Sequence, residues 1–248
     1  MDSNGSRFKP ASLLVLLTVA VFLVYSFAAG IIAFILAIFT QPVADLTETL
    51  AGDISLPGYL EVGATVLAIA ATLPLLKVVC RSQRLRLDFR WPDRREWLLT
   101  AKYFLVHFGV LLATGLAVYY SGLLESGEEQ IMRQRDLFEG WGLGPTLLLV
   151  VVAVPILEEF LFRGFLFAGL RRYGGFWFSF LISGLFFTLL HFSFSASWQE
   201  NLVIFTVILG LTYFLSRSLE KTSNLAVPII LHGLHNLRVI ILTFWLVE

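Results

Sequence analysis

Apolar runs about as long as a bilayer is thick recur along the whole chain, and they restrict its fold more than any other feature. A helix needs about 20 apolar residues to cross the hydrocarbon core. Hydrophobic residues make up 57% of the 248 residues and charged residues only 15%, against about 25% in soluble domains. We therefore predict an all-α fold, a polytopic transmembrane bundle of about seven helices. The predicted spans are 12–40, 58–79, 97–120, 144–169, 175–193, 201–216 and 224–246.

The segments between these runs are too short to hold a separate soluble domain, so we expect one integral-membrane domain over 1–248. Within it, 1–143 carries three spans with their loops, and 144–248 carries the other four. The single cysteine, Cys80, permits neither an internal disulfide nor a CxxC motif. A formal net charge of zero gives no general attraction to nucleic acid. The composition therefore leaves membrane lipid as an expected partner and excludes nucleic acid.

Basic residues alternate between the loops, and this alternation predicts the orientation of the spans. The segment 77–95 carries seven Lys and Arg residues, whereas 41–57 and 193–200 carry none. Loops rich in Lys and Arg stay in the cytoplasm. With seven spans, the N-terminus is then cytoplasmic and the C-terminus lies on the opposite side. We expect an integral protein of a bacterial plasma membrane in this orientation.

Three charged residues lie inside the fourth apolar run, where each costs about 2.5–3.5 kcal/mol in hydrocarbon. They are Glu158, Glu159 and Arg163 of the stretch EEFLFRG. Glu159 and Arg163 are spaced i,i+4 with the acid on the N-terminal side, which favours an ion pair on one helix face. Glu158 points about 100° away around the helix. It therefore lacks a local partner and faces another part of the bundle.

Three polar residues on other runs are candidate partners for Glu158. They are His191 in the fifth run and His232 and Asn236 in the seventh. At a rise of about 1.5 Å per residue from the inner boundary, Glu158 lies about 18 Å deep, His191 about 24 Å, and the other two about 14–20 Å. Because these depths overlap, the four side chains are predicted to line one polar cavity inside the membrane.

These residue types suit the hydrolysis of an acyl bond by an activated water. A carboxylate withdrawn from bulk water can act as a general base, and an imidazole can share the proton or donate to a developing charge. An asparagine amide can donate to an oxyanion. The alternative interpretation is a buried polar network that fixes helix register. No HExxH motif is present, and His107, His235 and Arg238 are interpreted as packing or snorkelling residues.

Three motifs in the second half of the chain resemble those of the CPBP family, the CAAX-protease and bacteriocin-processing membrane proteins, also called Abi. They are EExxxR at 158–163, FxxxH at 187–191 and HxxxN at 232–236. They occur in order, on separate runs, and the resemblance covers 140–248. It implies that Glu159, Arg163 and Phe187 support an intramembrane active site.

The resemblance also implies the roles of the four cavity residues. Glu158, assisted by His191, would activate water, while His232 and Asn236 would stabilise the oxyanion. A divalent metal such as zinc is one option in this family and would be held by Glu158, His191 and His232. The same residues also suffice for hydrolysis without a metal. The implied activity is that of an endopeptidase acting on a membrane-embedded or lipidated, CAAX-like peptide or protein.

Two other classes of function stay open at this point. A non-catalytic membrane scaffold or immunity protein could use the same fold to bind a partner, although it would have no need to keep Glu158 and the histidines together. A proton-coupled transporter could use the same residues as a relay, but no inverted repeat is present in the sequence.

Overall fold

Seven helices form the part of the chain that this computed structural model describes, which is residues 11–40, 58–82, 88–120, 135, 138–139, 142–194 and 196–245. No strand occurs in these residues. The predicted all-α bundle is therefore confirmed. The helices are α1 (Ala11–Thr40), α2 (Gly58–Ser82), α3 (Arg94–Tyr120), α4 (Leu143–Leu170), α5 (Phe176–Leu189), α6 (Trp198–Thr222) and α7 (Ala226–Trp245).

Five of these helices, α1, α3, α4, α6 and α7, are long and apolar enough to cross a membrane. The apolar parts of α2 and α5 are shorter, at Val62–Val78 and Phe176–Leu189. Large apolar side chains also remain on the outside of the bundle, such as Phe27 at 71% and Leu105 at 64% exposed. An apolar outer surface suits contact with lipid, and the chain has the length and composition of an integral membrane protein.

Helix α6 is longer than its apolar run suggested. The sequence pattern predicted 201–216, whereas the helix covers 25 residues. Its N-terminus is a capping box, in which the Ser197 side chain accepts from the Glu200 N–H and the Glu200 carboxylate accepts from the Ser197 N–H. Its C-terminus is set by Ser223, which has a φ of 53°. Polar caps therefore set its ends rather than hydrophobicity.

Helix α4 lies at the centre of the bundle and packs against α1, α2, α5, α6 and α7. Its second half is buried on every side from Leu161 to Phe167. There Phe162 and Phe165 pack with Leu14 and Val21 of α1. Helix α3 contacts α6 and α7 instead of α4. The EEFLFRG stretch therefore lies in the core of the bundle.

A buried amide ties the segment before α3 to the turn between α6 and α7. The fully buried Asn224 donates from Nδ2 to the Arg90 carbonyl at 3.1 Å and to Glu96 Oε2 at 3.3 Å. Its Oδ1 accepts the N–H groups of Arg90 and Ala226. Glu96 also holds the Arg90 guanidinium through two bonds of 2.9 and 2.7 Å. These hydrogen bonds place Arg90, before α3, at the same end of the bundle as the α6–α7 turn. The orientation predicted from the basic loops requires this arrangement.

The orientation itself is testable by cysteine labelling. In a Cys80→Ser background, we expect Glu48→Cys to react with a membrane-impermeant maleimide added from outside, and Asp88→Cys to react only after the membrane is opened. The physical reason is the retention of the basic segment 77–95 on the cytoplasmic side. Residue 48 lies outside the described residues. Labelling in the reverse pattern would contradict the predicted orientation.

Candidate active site

Helix α4 changes its winding on both sides of the two glutamates. Leu147–Ala153 and Phe160–Phe167 are wound as π-helix, and Val154–Glu159 between them is α-helical. Such widened turns frequently occur at functional sites. Pro155 has no N–H to donate, and the N–H of Val154 bonds to the carbonyl of Leu149. The carbonyl of Val150 is therefore open to a donor from another helix.

Helix α7 supplies that donor. Asn236 Nδ2 donates to the Val150 carbonyl at 2.8 Å. One turn earlier, Gly233 faces the Val151 carbonyl, and a Cβ built on Gly233 would lie only 2.6 Å from that oxygen. The two backbones are thus in direct contact, which needs glycine at this position. This close approach brings His232, the neighbour of Gly233, to the glutamates of α4.

We expect Gly233→Ala to force α4 and α7 apart. A methyl group placed against a backbone carbonyl should cost about 1–3 kcal/mol, which corresponds to a melting temperature about 5 °C lower. Peptide cleavage should fall as well, because His232 moves with α7. The matched control is Gly115→Ala in α3, where nothing lies within 4 Å of the new Cβ. An unchanged melting temperature for Gly233→Ala would show that the two helices are not held in this contact.

His232 lies between the two glutamates. Its Nδ1 is 2.8 Å from Glu159 Oε1, and its Nε2 is 3.7 Å from Glu158 Oε2. Glu159 is fully buried, whereas the Glu158 side chain keeps 26% of its exposure. The sequence interpretation assigned Glu159 to Arg163 alone and left Glu158 facing elsewhere. In the structure the two carboxylates approach the two nitrogens of one imidazole.

Arg163 connects this group to α5 and α6. Its guanidinium donates to Glu159 Oε1 and to Thr212 Oγ1, both at 3.0 Å, and lies 4.5 Å from the centre of the Phe187 ring. The i,i+4 ion pair expected from the spacing is therefore present. Thr212 comes within reach because Gly184 has no side chain there, since a Cβ would lie 2.8 Å from Thr212 Cγ2. A single threonine in an apolar run carried no signal that would have identified it.

His191 follows the end of α5, and its ring contacts the Phe187 ring, as does that of His232. Its Nδ1 is 2.9 Å from the Phe187 carbonyl. The ring centres of Phe187 and His191 are 4.7 Å apart, and those of Phe187 and His232 are 6.0 Å apart. Because a carbonyl only accepts, Nδ1 carries the proton and Nε2 of the neutral ring is an acceptor. Among the described residues, no hydrogen bond links His191 to Glu158.

A family model matches this region of the chain. Residues 140–238 match the family described as type II CAAX prenyl endopeptidase Rce1-like. This part of the chain is an Rce1-like domain. The match contains all three motifs, and the resemblance to the CAAX-protease family is thereby confirmed. No curated protein and no solved structure shows significant similarity to the chain. At the level of the family, this match supports a CAAX-type membrane protease and a peptide substrate.

The Rce1-like domain does not gather its polar residues into a metal site. In the ranges that the structure describes, no three His, Cys, Asp or Glu side chains meet in a way that could hold a metal ion. The set considered from the sequence, Glu158, His191 and His232, does not form such a group. The described side chains of the Rce1-like domain therefore place a carboxylate beside an imidazole.

Proposed function

We propose that this chain is an intramembrane endopeptidase that hydrolyses a peptide bond of a membrane-embedded or lipidated, CAAX-like substrate, through a water activated by Glu158. The observation that supports this most directly is the unequal environment of the two glutamates. Glu159 is fully buried and accepts hydrogen bonds from Arg163 and His232. Glu158 is partly exposed beside His232 Nε2. The Glu159 carboxylate thus stabilises the fold, and the Glu158 carboxylate is accessible to water and substrate.

The proposed reaction uses Glu158 twice. Its ionised carboxylate accepts a proton from a water molecule while the water oxygen attacks the carbonyl carbon of the scissile bond. The carbonyl oxygen becomes an oxyanion. Glu158 then returns the proton to the amide nitrogen, the C–N bond breaks, and a carboxylic acid and an amine leave. The proton taken from the water is thus returned to the leaving amine, and water is the only co-reactant.

The oxyanion would be stabilised by donors on α7. Asn236 uses one amide N–H for the Val150 carbonyl, and an amide has a second N–H available. His232 donates from Nδ1 to Glu159, which fixes the ring orientation, and its Nε2 donates to the oxyanion when that nitrogen is protonated. Fixed donors of this kind stabilise the transition state because they need no reorganisation. His191, held through Nδ1, would accept a proton or hydrogen bond from the water at Nε2.

Purified protein in liposomes tests this function directly. The substrates are membrane-inserted peptides with and without a prenylated cysteine near the C-terminus, incubated in water enriched in ¹⁸O. Hydrolysis by wild type should place one ¹⁸O atom in the new carboxylate, detected by mass spectrometry, and Glu158→Gln should give almost none. Equal cleavage by both proteins would indicate a contaminating protease. Peptide binding without any cleavage would favour the non-catalytic scaffold, and proton-coupled uptake into the liposomes would favour the transporter.

A further inference from the structure

A second cluster of polar side chains lies between α3 and α7, outside the catalytic group. The ring centres of His107 on α3 and His235 on α7 are 5.1 Å apart. The Arg238 guanidinium donates to His235 Nδ1 at 3.1 Å and lies 5.8 Å from the centre of the Phe108 ring. Both histidines are buried, with 3% and 5% exposure. The cluster thus consists of one arginine and two imidazoles inside an apolar bundle.

The cluster adjoins the candidate active site along α7. Relative to His232, Asn236 lies about 40° around the helix in one direction, and His235 and Arg238 lie about 60° and 120° in the other. The rise from His232 to Arg238 is about 9 Å. Polar side chains therefore follow the surface of α7 from the α4 side to the α3 side.

Arg238 lacks the compensation that Arg163 receives. Arg163 is paired with Glu159. Among the described residues, by contrast, no carboxylate lies within ion-pair distance of Arg238, and its buried Nε has no acceptor. A buried cation is normally paired with an anion. In the described part of the structure, the Nε–H of Arg238 is therefore a guanidinium donor without an acceptor.

We infer that His107, His235 and Arg238 form a subsite that binds a carboxylate of the substrate peptide, either at its C-terminus or on an acidic side chain. This inference rests on the proposed function. The planar guanidinium matches a carboxylate with two parallel hydrogen bonds. His235, whose Nδ1 accepts from Arg238, can add a donor at Nε2, whereas His107 donates from Nε2 to the Val207 carbonyl at 3.4 Å and packs against the His235 ring. Arg238 is 12 residues after the start of α7 and 7 residues before its end, about 18 Å and about 10 Å along the helix axis, so it lies inside the helix and not at either end. Phospholipid phosphates lie at the interface instead, so a peptide suits this depth better than a lipid headgroup.

Equilibrium binding of fluorescent peptides tests the subsite without requiring cleavage. All proteins carry Glu158→Gln, and three peptides of one sequence end in a free carboxylate, an amide, or an amide preceded by a glutamate. We expect Arg238→Gln to weaken binding of a carboxylate-bearing peptide at least tenfold and to leave the plain amide peptide unchanged. Arg238→Lys should keep part of the preference. The matched control is Arg217→Gln, which removes another arginine over an aromatic ring, that of Phe176, and should not change binding.

Several results would overturn the subsite. One is equal binding of the three peptides by the protein with Arg238 intact, and another is equal weakening of all three by Arg238→Gln. A third is loss of the carboxylate preference when phosphatidylglycerol is added, which would assign the cluster to a lipid headgroup. If Arg238→Gln does not fold, the subsite is still tested by comparing the peptide preference of the protein that keeps Arg238 with that of Arg238→Lys. A carboxylate preference without cleavage by wild type would refute the proposed hydrolysis alone. Cleavage without that preference would refute the subsite alone.

Discussion

Replacing Glu158 by glutamine is expected to lower the rate constant of peptide cleavage at least about a hundredfold, the usual contribution of a general base. Glutamine keeps the shape of the side chain but cannot accept the proton of the attacking water. The protein should remain folded, because Glu158 is partly exposed and its Oε2 is 3.7 Å from His232 Nε2, beyond hydrogen-bond distance. A melting temperature within about 2 °C of wild type is therefore expected.

The measurements are the rate of peptide cleavage and the melting temperature of the same detergent preparation. Glu158→Asp is a useful second variant, since it keeps the carboxylate but withdraws it by one methylene and should retain part of the activity. If Glu158→Gln unfolds while Glu159→Gln stays stable, the roles of the two glutamates are reversed and Glu159 is the base.

Replacing Glu159 by glutamine should instead destabilise the protein. Glu159 Oε1 accepts from both Arg163 and His232, and Arg163 is almost completely buried. Removing one partner of a buried ion pair costs about 3–5 kcal/mol, because the remaining charge is left in a medium of low polarity. We expect the melting temperature to fall by about 10 °C. Activity should be lost as a consequence, since the anionic partner that orients the His232 ring is replaced by a neutral amide.

The double variant Glu159→Gln with Arg163→Met should recover part of that stability, because it leaves no unpaired charge and methionine fills a similar volume. It should recover little activity, since the ring of His232 stays without its anionic partner. The matched control is Glu139→Gln, which removes an ion pair of the same i,i+4 spacing at a more exposed position. That change should cost less than about 1 kcal/mol. A double variant no more stable than Glu159→Gln would show that the unpaired charge is not the cause.

The helices could be located from the sequence because a bilayer sets their length and every backbone group in it must be paired. The run 58–79 corresponds to Gly58–Ser82 and the run 224–246 to Ala226–Trp245. The largest error was in α6, whose polar ends belong to the helix although hydropathy excludes them. Polar caps and the first and last turns of a helix at the interface do not depend on apolar composition, so an apolar window cannot include them.

The candidate site was predicted less completely. Helical spacing predicted the Glu159–Arg163 pair, because both residues lie on one helix. It missed the contact of His232 with Glu159 and the contact of Arg163 with Thr212. Each of these joins two helices. The rotation of one helix against another depends on the packing of their surfaces, which a single sequence does not display.

The sequence by itself determined the all-α membrane fold and the ordered motifs of an Rce1-like domain, and it predicted four polar residues at similar depths. Only the tertiary structure decided which glutamate is buried and which remains accessible. The reason lies in α4, where Pro155 leaves the Val150 carbonyl to Asn236 and where α7 approaches at Gly233. That contact places His232 between Glu158 and Glu159. The two neighbouring glutamates therefore have different surroundings, because a second helix, α7, supplies their partner.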